Sequence, residues 1–166
     1  HFIRYPSPWK RVVNQLHKID DYPHGNLRLT TATCITALNI FYLPEFITWK
    51  LEEDWKLLNK YPAGAGMIDL HLAYWPPQLN CKVLPDWFKK ETTLKYQDFG
   101  KWLKSNWQKC NGVDGLTWED WKKLPYGIKR LEGLVSFMNT EDWSERLPEM
   151  NEWCYKVSKE RDLDFD

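Results

Sequence analysis

Met67-Ile68-Asp69-Leu70-His71-Leu72-Ala73-Tyr74 alternates apolar and polar residues with the period of two that is typical of a β-strand. One face of this strand carries three aliphatic residues, Ile68, Leu70 and Leu72; the other carries Asp69, His71 and Ala73. A parallel sheet is normally buried on both faces, so an Asp–His pair there needs polar surroundings. We expect Asp69 and His71 to line a water-accessible cavity. The alternative is that they hydrogen-bond each other or cap a neighbouring group.

A second strand is predicted over Leu27–Thr36, which is rich in threonine and β-branched residues. Its more polar face carries Arg28 and Thr30, and this face is expected to continue the Asp69/His71 surface. Asn39 follows the carboxyl end of this strand, where α/β folds usually place ligand contacts. An asparagine in a loop can equally bond nearby backbone, so both interpretations stay open.

Proline and capping signals predict helices on either side of these strands. Ser7-Pro8 begins one that ends near Asp21, and Leu43-Pro44-Glu45 begins another that reaches about Leu58. From Leu84-Pro85-Asp86 onward, every predicted element is helical. The sequence therefore predicts an α/β unit over residues 1–83 and an α-rich extension over residues 84–166.

Composition narrows the classes of function. The chain has 166 residues, and its 23 basic side chains balance its 23 acidic ones. Proteins that follow a nucleic-acid backbone usually carry a basic surplus, so nucleic-acid binding is disfavoured. No apolar stretch approaches the roughly 20 residues of a membrane span. The predicted protein is globular, with neither a nucleic-acid nor a membrane partner.

Four cysteines, at positions 34, 81, 110 and 154, lack the close spacing of zinc or iron–sulfur ligands. Reduced thiols in a cytoplasmic protein are the plain interpretation, and Cys34 is expected to be a buried structural thiol. The sequence identifies no catalytic residue and no metal ligand.

Tryptophan is unusually frequent, with 11 copies. Most of them lie in helical patterns beside apolar residues, and packing between helices accounts for these. Trp75 differs because it follows Tyr74 at the end of the second predicted strand. Tyr74 and Trp75 are therefore candidate ligand contacts.

Several stretches resemble the twitch-domain radical S-adenosylmethionine (SAM) proteins that are common in marine phage and environmental sequences. They occur in the same order as in that family, from residue 1 almost to Phe165. The stretches are Phe2-Ile3-Arg4-Tyr5-Pro6, Ala37-Leu38-Asn39-Ile40-Phe41-Tyr42-Leu43-Pro44-Glu45-Phe46, Lys82-Val83-Leu84-Pro85, Tyr126-Gly127-Ile128-Lys129-Arg130-Leu131 and Glu141-Asp142-Trp143-Ser144-Glu145-Arg146-Leu147-Pro148-Glu149. The resemblance is specific as a pattern and says nothing about the substrate.

The resemblance implies the C-terminal part of a partial (β/α)₆ barrel, in which Pro8–Tyr22 is the fourth barrel helix. Leu27–Thr36 and Met67–Tyr74 would be strands five and six, followed by the helical extension. Enzymes of this kind bind SAM at a [4Fe–4S] cluster and cleave it to a 5′-deoxyadenosyl radical. By position, Asn39 and the ends of the two strands would lie near SAM or the substrate.

The chain departs from this family in one respect that affects chemistry. The Cys-x-x-x-Cys-x-x-Cys loop that holds the family's cluster is absent, and the first four strands have no counterpart. We therefore expect one of two kinds of protein. The first is a fragment of an enzyme that a missing N-terminal half or a partner chain completes; it would act on a small molecule or peptide in the cytoplasm of a bacterial or phage-infected cell. The second is a non-catalytic binding or assembly module. A half barrel also exposes strand edges, which such a partner would cover.

Overall fold

The computed structural model describes residues 8–22, 31–58, 69–110, 118–121 and 128–162. Within these ranges the chain forms six α-helices and two strands. In chain order they are α1 (Trp9–Asp20), β1 (Ala32–Ile35), α2 (Leu43–Glu52), β2 (Asp69–Leu72), α3 (Asp86–Cys110), α4 (Trp118–Trp121), α5 (Ile128–Met138) and α6 (Leu147–Arg161). Short 3-10 turns precede α2 at Ile40–Tyr42 and α6 at Ser144–Arg146, and two more, Pro77–Leu79 and Cys81–Val83, connect β2 to α3.

The two strands pair in parallel, and α2 lies between them in sequence. Ala32 pairs with Asp69, Cys34 with His71, and Ile35 with Leu72. The prediction that these two segments are neighbouring parallel strands is therefore confirmed. Each strand has four described residues, and both end before the last residue predicted for them, Thr36 for β1 and Tyr74 for β2.

The partial (β/α)₆ barrel is wrong for this chain. The part of the chain that the structure describes is 71% helical and contains one sheet of two strands. Barrel closure needs a continuous ring of strands, whereas beyond β2 the described chain has the apolar spacing of helices. The expected α/β fold is thus reduced to a two-stranded parallel sheet in a mainly helical protein.

The hydrophobic core is shared by both halves of the sequence. Ile35, Ile40 and Ile47 from the first half are at most 1% exposed, as are Leu103 and Met138 from the second. All five belong to one cluster of buried residues. The helical extension therefore packs on the strand–helix–strand unit through apolar contacts that cross the proposed boundary between residues 83 and 84.

Leucine–proline–acid triplets begin the helices where the sequence predicted. Leu43-Pro44-Glu45 and Leu147-Pro148-Glu149 place proline in the first turn of α2 and α6. α3 begins at Asp86, directly after Pro85. Proline lacks the amide hydrogen that would be unpaired at this position, and the acid complements the positive end of the helix dipole.

None of the helices in the described ranges combines the length and the apolar character that crossing a bilayer requires.

Candidate functional site

The parallel sheet leaves one face open to solvent. The register places Cys34 directly opposite His71, and both residues are exposed, as is Ala32. These three residues define what we call the open face. It is the face on which strand parity places Asp69 and His71, and by the same parity Arg28 and Thr30 share the face of Ala32 and Cys34. Because Arg28 and Thr30 lie outside the described residues, their continuity with the Asp69/His71 surface stays a prediction.

The opposite face of the sheet packs into the core. Ile35 is 1% exposed, and Leu70 and Leu72 are half-buried against the core cluster. From α5, the Arg130 guanidinium donates a hydrogen bond of 3.1 Å to the Leu70 carbonyl oxygen and so ties this helix to β2. The sheet is therefore covered on one side only by described residues, unlike the two-sided burial that is usual for parallel strands.

Several of the predicted site residues lie partly or wholly outside the described structure. Arg28 and Thr30 fall in the undescribed residues 23–30. Asp69 is the first residue of β2, but its side chain is not among those described. The structure shows that His71 is exposed. The role of Asp69 and His71 in lining a cavity stays a prediction.

Asn39 shapes the turn that follows β1. Its side-chain oxygen accepts a hydrogen bond from the Thr36 amide at 2.8 Å, and its amide group donates to the Cys34 carbonyl oxygen at 2.8 Å. Both bonds are local, as expected for an asparagine in a loop. The side chain therefore fixes the backbone at the carboxyl end of β1, beside the open face.

Tyr74 and Trp75 project from the carboxyl end of β2. Their exposed fractions are 65% and 83%, which is high for large aromatic residues. The Tyr74 ring meets Phe137 edge-to-face at 5.5 Å, so it is held on one side, whereas Trp75 is largely in solvent. Exposed aromatic rings of this kind can stack on a planar or sugar-like ligand.

Phe137, which the Tyr74 ring contacts, also lies against a cationic group. Lys82 is 6% exposed, and its ammonium nitrogen is 2.5 Å from Glu141 Oε1. The same ammonium group lies 4.4 Å from the centre of the Phe137 ring and 5.1 Å from that of Trp143. These four residues form what we call the Lys82 cluster, in which aromatic faces and a carboxylate compensate a nearly buried charge.

A second buried lysine contacts the loop before α6, which carries Glu141. Lys89 is 3% exposed; its ammonium group donates to the Glu141 carbonyl oxygen at 2.9 Å and lies 3.7 Å from Asp142 Oδ1. Sequence reasoning missed both lysines, because they are separated from their partners by 59 and 52 positions and no local pattern marks them. Hydrogen bonds from Lys82 and Trp143 lower the pKa of the Glu141 carboxyl below its ordinary value.

The described cysteines do not fit an iron–sulfur cluster. Cys34 is exposed on the sheet, whereas Cys81 and Cys154 are at most 1% exposed. Burial raises the pKa of the Cys81 thiol to about 11 and also raises that of Cys154, which opposes the thiolate form that a cluster needs. Among the described residues, no three potential ligands are grouped around a possible metal position.

Cys34 corrects one expectation from the sequence. It was expected to be a buried structural thiol, but it is exposed because it lies on the open face opposite His71. Strand parity alone places Cys34 with the polar residues, and that signal could have identified it.

Comparison with known proteins gives no relative: no family model, no curated protein and no solved structure matches this chain.

Proposed function

We propose that this chain is the SAM-binding, substrate-facing part of a radical SAM enzyme. The iron–sulfur cluster would be held by residues outside this chain, either in a missing N-terminal half or in a partner chain. The observation that carries the proposal is the open face, in which two parallel strands present an imidazole and a thiol to solvent. Ligands of parallel α/β sheets usually bind near the carboxyl ends of the strands.

The chain's own residues would contribute binding and orientation. Trp75 and Tyr74 offer exposed ring faces for an adenine base or a planar substrate group. Asn39 positions the backbone next to Cys34, so the carboxyl end of β1 has a fixed shape. When bound, the cluster supplies the electron for reductive cleavage of SAM. The described cysteines do not fit the cluster, so the described residues of this chain would bind and orient SAM while residues elsewhere hold the cluster.

SAM binding by the purified chain tests this proposal. Isothermal titration calorimetry should detect binding of SAM, and Trp75→Ala should weaken it. Tyr155→Ala is the matched control, because Tyr155 is likewise a strongly exposed aromatic residue, at 66%, but lies on α6 and not in the segment that follows β2. If SAM gives no binding signal, or if both variants lose affinity equally, the proposal fails.

A second measurement concerns the cluster. The chain, purified without oxygen, should contain neither iron nor sulfide, because its described cysteines are either buried or isolated. Stoichiometric iron and sulfide would show that the cluster ligands lie in this chain after all. In this proposal the protein works in the cytoplasm, where thiols are kept reduced. The free thiols of Cys34, Cys81 and Cys154 support this location.

The second candidate is a non-catalytic binding or assembly module. It is favoured by the same open face, because a two-stranded sheet with one solvated side, to which no further strand is paired among the described residues, is a ready surface for another chain. Sedimentation analysis distinguishes the two functions. A defined oligomer that does not bind SAM would favour assembly, whereas a SAM-binding monomer would favour the enzyme.

A further inference from the structure

The open face brings together two chemically reactive side chains. Cys34 on β1 and His71 on β2 are direct register partners in the parallel sheet. Neighbouring strands run about 4.8 Å apart, and paired residues of a parallel sheet project to the same side. Both residues are exposed, so a reagent in solution has access to the thiol.

The backbone on both sides of this pair is held in place. The Asn39 side chain donates to the Cys34 carbonyl oxygen at 2.8 Å, and the Ala73 amide donates to the Ile35 carbonyl oxygen at 2.9 Å. The strands therefore keep their register next to the pair. The thiol and the imidazole therefore project from neighbouring positions on the same side of the sheet.

We propose that Cys34 and His71 form a thiol–imidazole pair that makes Cys34 the site of modification by soft electrophiles, of which small-molecule disulfides are the natural class. His71 accepts the thiol proton, and the resulting thiolate attacks one sulfur of the disulfide. A new S–S bond to Cys34 forms while the original S–S bond breaks, and the other half leaves as a thiolate. The Cys34 sulfur is oxidised and the departing sulfur is reduced, so the exchange needs no other reactant.

The other cysteines whose side chains are described provide an internal contrast. Cys81 is 1% exposed and Cys154 is 0% exposed, so neither sulfur can be approached in the folded protein. Their burial also disfavours the thiolate that attacks disulfides. Modification of the native chain is therefore expected to favour Cys34 over Cys81 and Cys154. This inference does not depend on SAM binding.

The test uses glutathione disulfide and iodoacetamide on the native chain, with peptide mass spectrometry to locate the adduct. Cys34 should react before Cys81 and Cys154, and in Cys34→Ser those two thiols should remain as slow as in the parent. His71→Gln keeps a polar side chain of similar size but removes the base. It should slow the reaction of Cys34 about three- to tenfold, which is below the effect of a fully positioned base because the pair is open to water.

Unfolded protein supplies the matched control. In urea the sheet is lost and the two residues are no longer neighbours, so His71→Gln should not change the reaction rate there. The urea midpoint of the variant reports whether its fold is intact, and His71→Asn serves as a second variant if that midpoint falls. Faster reaction at Cys81 or Cys154 would overturn the proposal. So would equal rates for the parent and a folded His71 variant.

Discussion

The Lys82 ammonium group and the Glu141 carboxylate form an ion pair of 2.5 Å that joins the 3-10 turn before α3 to the loop before α6. The lysine side chain is only 8% exposed, whereas the carboxylate is 53% exposed. The two charges therefore differ in burial. Removing the carboxylate leaves a nearly buried ammonium group without this partner, which destabilises the folded state more than leaving an exposed carboxylate unpaired would.

Glu141→Gln should lower the stability of the protein at neutral pH for this reason. The pKa of Glu141 is lowered by its hydrogen bonds from Lys82 and Trp143, so its stabilising contribution is present above its ordinary pKa of 4.5. This contribution is lost as the pH falls through the lower value of the folded state. Urea unfolding between neutral and acidic pH should show a shallower loss of stability in the variant than in the parent.

The control for this experiment is Glu145→Gln. Glu145 is exposed and makes no ion pair with the described residues. An equal loss of stability in both variants would mean that the Lys82 pair contributes nothing beyond surface charge.

Asp20 should be among the polar residues most important for stability. It is 3% exposed, and its carboxylate accepts hydrogen bonds from the amides of Lys56, Leu57 and Leu58 at 2.6, 2.9 and 3.0 Å. Asp20→Ala leaves these donors without a partner and should cost about 2–4 kcal/mol. Asp20→Asn should cost less, because its one remaining oxygen can still accept from Leu57 and Leu58.

Urea unfolding measures both Asp20 variants against Asp21→Asn. Asp21 pairs with Lys56 on the surface, and this exposed pair should contribute little. Similar effects at positions 20 and 21 would contradict the interpretation that Asp20 anchors the chain after α2.

Lys50 should make stability depend on pH in the alkaline range. It is 0% exposed, and burial lowers its pKa from 10.5 to about 8. Below that value the folded state must hold a buried charge, and this penalty is relieved as the pH rises toward the unfolded-state pKa. Lys50→Met should therefore stabilise the protein near neutral pH by on the order of 1–3 kcal/mol, and this advantage should shrink as the pH rises above about 8.

Lys104→Met is the control for Lys50, because Lys104 is exposed on α3. It should leave the pH dependence unchanged. If Lys50→Met is destabilising at every pH, the contacts of the ammonium group outweigh its desolvation.

Leu103 and Leu94 lie on the same helix and provide a matched pair for the core. Leu103 is 1% exposed and Leu94 is 60% exposed. Leu103→Ala should cost about 2–5 kcal/mol because it leaves a cavity, and Leu94→Ala should cost less than about 0.5 kcal/mol. Thermal unfolding should remain a single transition in both variants if the two halves share one core. Two separate transitions would contradict the shared core.

Local patterns in the sequence determined where several helices begin and where the strands lie. Proline and acidic residues at helix starts placed α2, α3 and α6, and the alternation around His71 placed β2 and its polar face. These signals involve neighbours one to four positions apart, so they act before any tertiary contact forms. The parallel pairing of the two strands followed from the helix between them.

Tertiary structure alone decided which charged residues are buried. Lys50, Lys82, Lys89 and Asp20 are all nearly inaccessible, although nothing in their flanking sequence distinguishes them from surface residues. It also made a two-stranded sheet of the described strands in place of the expected barrel. Burial depends on elements that are distant in sequence, and hydrogen-bond partners such as Glu141 for Lys82 become available only when those elements pack together.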